Sequence, residues 1–443
     1  APLFTPYTVA YNDARYRYLL PKSRVCFNLG LDFWDGCKEK EVTKELFYYY
    51  YSMGVETGHN AVKNQEYEKE VVQDGTKKTT YYSFRLDTYQ AVGMMFMNIT
   101  AEEYANIQAY QDDTGIQVIY PITVKSKRPQ ANQDNADANF WYETVMSNGK
   151  TMASLDENGN YIDIYRPYTG DYYDGYTSSV RVEGDGVYLY DYALPNQTGY
   201  QVRVNYYEYY IYNHTVVLQD GISEPVFIFG ATSFGQDIFT CLANGGRFSF
   251  MLAIIVASVN LFVGAIYGAI EGYYGGSADL IMERISDIIS AVPFMIVITL
   301  LKYHLGASSN IWALLLAFFI QGWIGMAARV RMQFYRFKNQ EYILAARTLG
   351  ASDGRLMFKH IFPNAIGTII TGSVLVIPGV IFSESNLSYL GIINLSAGNI
   401  TSIGTLLAGA QPYMTSFPHM LFFPAMFISL LMLSFNLFGN GLR

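Results

Sequence analysis

The residues best suited to specific recognition lie in one basic segment of the second half of the chain. It holds seven cationic side chains, Arg329, Arg331, Arg336, Lys338, Arg347, Arg355 and Lys359, against only Glu341 and Asp353. Within it, Ala345 and Ala346 give a predicted helix a side with almost no side-chain bulk. Gly350 can adopt the left-handed conformation that ends a helix. A small face surrounded by charges predicts a contact surface for another protein.

Patterns that would indicate catalysis or metal binding are missing from the sequence. It has no G-x-x-x-x-G-K-S/T run, and its polar half has no H-E-x-x-H or G-x-S-x-G run and no cysteine pair at zinc spacing. Asp112-Asp113 and the Asp134 to Asp137 run fit solvated turns better than calcium sites. We therefore expect no metal site, no cofactor bound directly, no enzyme activity of the chain by itself and no nucleic-acid partner.

The chain has two unlike halves, which we divide into domains 1–228 and 229–443. Residues 1–220 hold 19 Lys and Arg against 29 Asp and Glu, with 31 of the 39 tyrosines. Residues 221–443 hold 11 basic and 9 acidic residues and are otherwise mostly apolar. The first half is typical of a soluble acidic domain and the second of a membrane protein. Cys26 and Cys37 are a candidate disulfide in the polar half, with two unpaired thiols as the alternative.

Five apolar stretches of the second half can cross a bilayer, for which roughly 20 helical residues are needed. They run approximately over Phe248–Ile270, Ile285–Leu301, Ile311–Ala328, Ile361–Phe382 and Met420–Phe438. Pro293 lies in the middle of the second stretch, where neighbouring groups must satisfy the carbonyl that the proline frees. The second half is therefore predicted to be a bundle of transmembrane helices.

The basic segment between the third and fourth stretches gives these spans a direction, because positive loops tend to stay in the cytoplasm. By the same count the turn Tyr273–Ile281 and the C-terminal Arg443 are cytoplasmic, and residues 1–228 are extracytoplasmic. An external domain ahead of five spans needs one more helix to deliver it. We therefore expect a sixth, N-terminal span that is missing before Ala1.

The polar half is predicted to be α+β and rich in strands. Tyr200–Tyr212 and Gly186–Tyr190 are dense in β-forming residues, and turn pairs such as Asp74-Gly75 punctuate the sequence. Thr100 precedes a predicted helix that runs to Gln111, with a Glu three residues on at the capping-box position. Tyrosine-rich surfaces suit binding, so this half is predicted to dock a partner or gate the outer mouth of the membrane domain.

The basic segment resembles the EAA loop of the permease subunits of ABC importers. Ala345-Ala346 and Gly350 match that pattern, and Phe362-Pro363 stand where it has Leu-Pro. Leu344 and His360 depart from the general pattern as the peptide branch of the family does. Further runs are similar to that branch: Gly272-Tyr-Tyr-Gly-Gly276 with Asp279, Arg284 and Asp287; Glu384 with Leu387–Gly391; Gly230 to Ser249, where Ser233 and Gln236 depart; and Ala1–Tyr7.

The resemblance implies the C-type permease subunit of an importer of the oligopeptide and dipeptide branch, with the type I ABC importer fold. It implies a peptide substrate, an extracellular substrate-binding protein, a second homologous permease subunit and two ATPase subunits that carry ATP and Mg²⁺. It also implies the plasma membrane of a prokaryote. The implied coupling loop comprises Glu341, Ala345, Ala346, Arg347, Gly350, Asp353, Arg355 and Lys359. Asn260, Thr371 and Glu384 are the candidate polar residues of the translocation path.

Two alternatives stay open. The same branch includes importers of nickel and other small solutes. The spans could also serve only to attach an external binding domain to the membrane, although that predicts an unspecialised loop at the basic segment. A secondary transporter needs acidic residues at mid-membrane or an inverted repeat, and the five stretches have neither.

Overall fold

The chain forms two compact units, which are described separately. The computed structural model describes residues 5–8, 10–24, 26, 34–43, 46–47, 50, 53–54, 57–73, 77–120, 193–306, 310–395 and 401–441. The polar unit comprises Asp13–Gly235 with Pro2–Pro6, and the membrane unit comprises Gln236–Arg443 with Tyr7–Asn12. Along the main chain the division falls at residue 235, where the sequence suggested residue 228.

The described part of the polar unit contains two antiparallel sheets. Its elements are β1 (Cys37–Thr43), β2 (Val62–Gln73), β3 (Lys77–Asp87), β4 (Met94–Thr100), α1 (Ala101–Thr114), β5 (Ile119–Tyr120), β6 (Ala193–Pro195), β7 (Gly199–Asn205) and α2 (Tyr206–Tyr212). The first sheet has the order β1-β3-β2 and the second β4-β7-β5, with β6 also on β7. Separate apolar clusters lie on them, one around Phe84 and one around Val202. Strands and helices of the predicted α+β class are present.

The helix predicted after Thr100 forms, and the predicted strand over Tyr200–Tyr212 forms only in its first half. The Thr100 hydroxyl accepts a hydrogen bond from the Glu103 amide at 3.1 Å and caps α1. At Asn205 the strand β7 gives way to α2, because the Asn205 side chain accepts from the Tyr207 amide at 2.9 Å. The aromatic rings of α2 are buried in tertiary contacts, which outweigh their preference for strands.

Some sequence predictions fall outside the described residues. They concern the turn Asp74-Gly75, the strand at Gly186–Tyr190, the acidic run at Asp134–Asp137 and the terminal Arg443. Cys26 and Cys37 are described, and both are free thiols. The candidate disulfide is not formed in this structure. Burial, with the nearby Asp87 and Asp35 carboxylates, raises the pKa of the Cys37 thiol to about 12.

The membrane unit is helical throughout its described elements. These are α3 (Ile238–Tyr274), α4 (Gly276–Ser290), α5 (Phe294–Leu305), α6 (Asn310–Phe337), α7 (Glu341–Thr348), α8 (Asp353–Tyr389), α9 (Ile403–Ala410) and α10 (His419–Gly441). Four of them, α3, α6, α8 and α10, are long and apolar enough to cross a membrane. The helices α4 and α5 pass the same test together but are bent by 69°.

The bent pair runs from one end of the membrane unit to the other. Lys338, which begins the connection from α6 to α7, donates from Nζ to the Gly272 carbonyl at 2.9 Å. We call this end of the membrane unit the loop end. The far end holds Lys302, whose Nζ donates to the Ile392 carbonyl at 2.6 Å. The helices α4 and α5 make a fifth crossing if the bent pair is one broken span. The interruption falls at Pro293, in the middle of the second predicted span.

The break in this crossing is satisfied by a side chain of the next helix. Proline lacks an N–H, so carbonyls near Pro293 lose their helical partners. Gln321 Nε2 of α6 donates to the carbonyls of Ile289 and Val292, at 2.9 and 2.7 Å. A neighbouring group thus takes over the freed carbonyls, as the sequence required for a proline inside the membrane.

A row of three glycines on α3, which we call the glycine ladder, allows α3 and α6 to approach closely. Gly264, Gly268 and Gly272 recur every four residues along one face of α3. A Cβ atom on Gly268 would lie 2.2 Å from the Ala327 carbonyl oxygen of α6, and one on Gly264 would lie 2.8 Å from the Trp323 oxygen. Glycines at this spacing let two membrane helices touch through their backbones. The ladder ends at Gly272 and so fixes the loop end of α3 against α6.

Candidate functional site

The basic segment forms a short helix, a glycine turn and the start of the fourth long helix. The helix α7 ends at Gly350, which has a φ of +83° and takes the left-handed conformation predicted for it. Ser352 occupies the cap position of α8, but its side chain makes no cap hydrogen bond. Because proline disfavours the helical conformation of the residue before it, the sequence predicts a helix stop before Pro363. The structure instead has a π-helical segment over Leu356–Ile361. The helix continues beyond it, because proline is tolerated in the first turn after such a break.

One side of α7 packs into the membrane unit and the other side is open. Ile343 is fully buried in a cluster with Phe334 of α6 and Leu356 of α8. Ala346 is half-buried against the same cluster, whereas Ala345 is exposed. On the open side Leu349 is 88% exposed and Leu344 45% exposed. The exposed small and apolar face therefore centres on Ala345 and Leu349, and only part of the predicted Ala345-Ala346 face is free.

The charged residues of the predicted loop divide into two groups. Arg347 and Asp353 are tied to the end of α3, since the Tyr273 hydroxyl donates to Asp353 Oδ1 at 2.6 Å and accepts from Arg347 at 3.2 Å. Glu341, Arg355 and Lys359 are exposed and form no ion pair within the described part of the chain. The first group holds α7 in place, and the second is available to another molecule.

A second set of contacts holds the same end of α3 and α4 to α6. Arg331 Nε lies 2.6 Å from Asp279 Oδ1, and its Nη1 lies 2.8 Å from Glu283 Oε1. Glu271 of α3 lies 3.6 Å from the same guanidinium group. Tyr335 donates to Asp279 Oδ2 at 2.5 Å. One arginine of α6 thus joins two neighbouring helices through three carboxylates.

Lys338 connects this charged group to the start of the loop. Its Nζ donates to the Gly272 carbonyl and lies 4.3 Å from the centre of the Tyr335 ring. Burial lowers the pKa of Lys338 from its ordinary value. Through Lys338, Arg331 and Tyr273, displacement of α7 would act on the ends of α3, α4, α6 and α8.

Glu384 lies at the far end and has quite different surroundings. Its side chain is fully buried in α8. Four hydroxyl groups donate to its carboxylate, those of Ser402 at 2.7 Å, Ser249 at 3.1 Å, Ser388 at 3.2 Å and Ser385 at 3.5 Å. No Lys, Arg or His of the described residues pairs with it. Glu384 therefore joins α3, α8 and the cap of α9 through hydroxyls.

The three candidate path residues do not come together as one site. Asn260 is buried on α3 beside Gly322 of α6, where a Cβ atom would lie 2.2 Å from the Asn260 amide nitrogen. Thr371 of α8 donates to the Gly367 carbonyl of its own helix at 2.9 Å. Glu384 has the hydroxyl partners given above. In the described chain Asn260 thus lies where α3 contacts α6, Thr371 bonds within its own helix, and Glu384 joins three segments.

Tyr273, Arg331, Glu271 and Glu283 were not singled out by their chemistry in the sequence. Tyr273 and Asp279 belong to the run Gly272-Tyr-Tyr-Gly-Gly276 with Asp279, which was noted only for its resemblance. Arg331 counted only as one basic residue among several. The signal that could have found this group is the helical spacing of Asp279 and Glu283, which places two carboxylates on one face of α4.

The comparisons with known proteins agree with this geometry. The family model described as "Binding-protein-dependent transport system inner membrane component" matches residues 260–443. The oligopeptide transport system permease protein OppC of Bacillus subtilis (strain 168) is 44% identical over 215 residues, which cover 48% of this chain and 69% of that protein. The dipeptide transport system permease protein DppC of the same strain is 39% identical over 217 residues, 48% of this chain and 66% of that protein.

Among solved structures, one of the MetNI methionine ABC transporter in an inward facing conformation is similar at 13% identity and a TM-score of 0.38. The similarity covers 46% of this chain and 94% of that chain. The sequence relatives, the family match over α6, α7, α8 and α10, and the loop geometry lead to one assignment. This chain belongs to the family of inner-membrane permease components of binding-protein-dependent ABC importers, in the branch of the oligopeptide and dipeptide permeases.

Proposed function

We propose that this chain is the permease subunit that carries peptides through an ATP-driven importer and receives its driving motion at α7. The observation that carries the proposal is the open face of α7, with Ala345 and Leu349 exposed beside cations that have no partner among the described residues. Leu349 is 88% exposed, and covering an exposed apolar side chain with another protein is favourable.

The contacts behind α7 support its role as a coupling helix. Its inner face is packed through Ile343, and its ends are held through Arg347 and Asp353 to Tyr273 of α3. A partner that moves α7 therefore moves the ends of three spans with it. Exposed cations at Arg355 and Lys359 suit an acidic rim on that partner.

The partners follow from the family. The proposed assembly has a second homologous permease subunit, two ABC ATPase subunits at the loop end, and an extracellular substrate-binding protein. ATP and Mg²⁺ act on the ATPase subunits, so this chain is not the enzyme. We propose that the loop end and the C-terminus face the cytoplasm of a prokaryotic cell and that the polar unit lies outside, because cationic loops favour the cytoplasmic side.

Co-purification tests the coupling surface. The wild-type chain, isolated in mild detergent from its own cells, should bring two ATPase subunits and a second permease. Ala345→Glu and Leu349→Glu should lose the ATPase subunits, because each places a charge on the open face without touching the inner packing. Ala345→Ser is the matched control and should retain them. The proposal fails if the wild-type chain never brings an ATPase, or if both glutamate variants behave like the control.

Substrate is tested on the purified complex in nanodiscs with its binding protein. Trialanine should stimulate ATP hydrolysis, and Ala345→Glu should abolish that stimulation. Stimulation by Ni²⁺ alone, with none by trialanine, would identify the small-solute alternative instead. If neither trialanine nor Ni²⁺ stimulates ATP hydrolysis, the experiment supports the coupling function but identifies no substrate.

A further inference from the structure

The polar unit contains a cleft of about 300 Å³ that is lined mainly by charged and polar residues. Stretches that are far apart in sequence supply them: Lys22 and Arg24 from the first segment, the stretch from Gly58 to Lys63 that leads into β2, Asp87 at the end of β3, and Glu224. All of these residues belong to one compact unit. The loop is held in shape locally, since the Thr57 hydroxyl accepts from the His59 amide at 3.1 Å and the Asn60 side chain accepts from the Val62 amide at 2.9 Å. The cleft is thus a built feature of the polar unit.

The charged groups on the cleft wall form two ion pairs of different kinds. Arg24 Nε lies 2.7 Å from Glu224 Oε1, and the two side chains are 57% and 35% exposed. Exposed ion pairs of this kind contribute only about 0–1 kcal/mol to stability, so a ligand can replace this pair at low cost. Lys63 Nζ lies 3.6 Å from Asp87 Oδ2, but Asp87 is 2% exposed and its Oδ1 also accepts from the Tyr89 amide at 3.0 Å. Both signs of charge are therefore presented to the cleft, by one exposed pair and by one pair with a buried carboxylate.

Buried polar groups lie behind these pairs. Asp87 is 2% exposed and Gln90 is 9% exposed, yet both line the cleft. The Gln90 side-chain oxygen has no hydrogen-bond partner among the described residues. A buried acceptor without a partner costs free energy, and a rotation of this amide toward the cleft would let a ligand N–H satisfy it. Buried polar groups that lower the stability of the fold thus line a concave surface, which is typical of binding sites.

We propose that this cleft binds a small zwitterion, namely a free amino acid or a dipeptide. The carboxylate lies against Lys63 and Arg24, and the ammonium group lies against Glu224 and Asp87. The ligand's carboxylate and ammonium group replace the partners that the cleft side chains have in their ion pairs. Because the ligand carries one charge of each sign, the net charge of the cleft stays the same. An N–H group of the same ligand supplies the donor for Gln90.

The size of the cleft limits the ligand. About 300 Å³ is at the lower end of the range for small-molecule pockets. Two extended residues span roughly 7 Å, so a dipeptide is the longest ligand that we propose for a cleft of this volume. This site is separate from the proposed translocation function, which resides in the membrane unit.

Isothermal titration calorimetry on the full-length chain in nanodiscs tests the inference with L-alanyl-L-alanine as the probe. Saturable binding to one site is expected. N-acetyl-dialanine and dialanine amide each lack one charge and should bind at least tenfold more weakly. Lys63→Met and Glu224→Gln should each weaken binding of the unmodified dipeptide at least fivefold. Glu102→Gln, an exposed change on α1 away from the cleft, is the matched control and should leave the affinity unchanged.

Three results would overturn the inference: no saturable binding at millimolar dipeptide, equal affinity for the capped compounds, or binding that survives both cleft variants. The last result would assign the dipeptide to another site, such as the path through the membrane unit. The comparison among the capped compounds needs no variant, so it remains decisive if a substitution disturbs folding. Ala345→Glu should bind the dipeptide normally, which separates failure of this site from failure of the coupling surface.

Discussion

The two ends of the membrane unit hold their charges in opposite ways. At the loop end, Arg331 meets Asp279, Glu283 and Glu271, and its side chain is 20% exposed. At the far end, the Glu384 carboxylate is fully buried and is held by serine hydroxyls alone. Both arrangements join three segments of chain. The loop end uses ion pairs that are partly exposed to water, and the far end uses neutral hydroxyl donors around one buried carboxylate.

The difference has a physical consequence for motion. Ion pairs that are partly open to water lose less free energy on exchanging partners than fully buried groups do, because solvent replaces part of each lost contact. A buried carboxylate has no such replacement and needs every donor that it has. We therefore expect the loop end to rearrange when a partner binds α7, while the far end keeps α3, α8 and α9 in one fixed arrangement.

Replacing the buried carboxylate should have the largest effect. Glu384→Leu leaves four serine hydroxyls without their shared acceptor and should lower the free energy of unfolding by about 3 kcal/mol. Glu384→Gln keeps the shape and one acceptor oxygen, so it should lose about half as much. Reversible unfolding in mixed micelles measures both. Equal stability of Glu384→Leu and wild type would show that the hydroxyls find other partners without cost.

Removing the arginine of the loop end should have the second largest effect. Arg331→Met leaves three carboxylates close together and should cost about 2 kcal/mol at 0.1 M salt. In 1 M salt, where the screening length falls to about 3 Å, this loss should shrink, whereas the loss from Glu384→Leu should not. Arg355→Met, an exposed arginine without an ion pair in the described chain, is the control and should change little. A salt-independent loss at Arg331 would contradict the contrast between the two ends.

The link from α7 to α3 should matter more for local order than for global stability. Tyr273→Phe removes the hydroxyl that contacts both Asp353 and Arg347, at a cost of about 1 kcal/mol. Hydrogen exchange of the amides in residues 341–353 should become faster, with little change elsewhere. Tyr274→Phe is the matched control, since Tyr274 is 54% exposed and lies next in sequence. Unchanged exchange in Tyr273→Phe would show that Ile343 packing alone holds α7.

The smallest effect is expected where one hydroxyl of four is lost. Ser249→Ala removes the 3.1 Å donor from α3 but leaves three donors on the Glu384 carboxylate. The free energy of unfolding should fall by under about 1 kcal/mol. Ser290→Ala, which removes an exposed hydroxyl bonded within its own helix, should change it less. A loss at Ser249 as large as that of Glu384→Leu would mean that this one donor carries the whole interaction.

Local rules predicted much of what the helices do. The left-handed turn at Gly350, the cap at Thr100 and the need for a partner near Pro293 all follow from the residue itself and its neighbours in sequence. The apolar stretches likewise marked the crossings. Local rules failed at Pro363, where a π-helical segment lets the helix continue, and over Tyr206–Tyr212, where burial of the rings makes a helix from residues that favour strands.

The sequence by itself determined the membrane character of the second half, its crossings and the motif that marks α7, because apolar length and residue spacing are properties of the chain alone. Only the tertiary structure decided which charged and polar side chains contact each other. Tyr273 and Asp353 are 80 positions apart, and Glu384 and Ser249 are 135 apart. No periodicity connects such pairs, since their contact depends on how the glycine ladder brings α3 and α6 together and on how α8 and α9 pack beside them. That packing also divides the loop residues into those that hold α7 and those left for a partner.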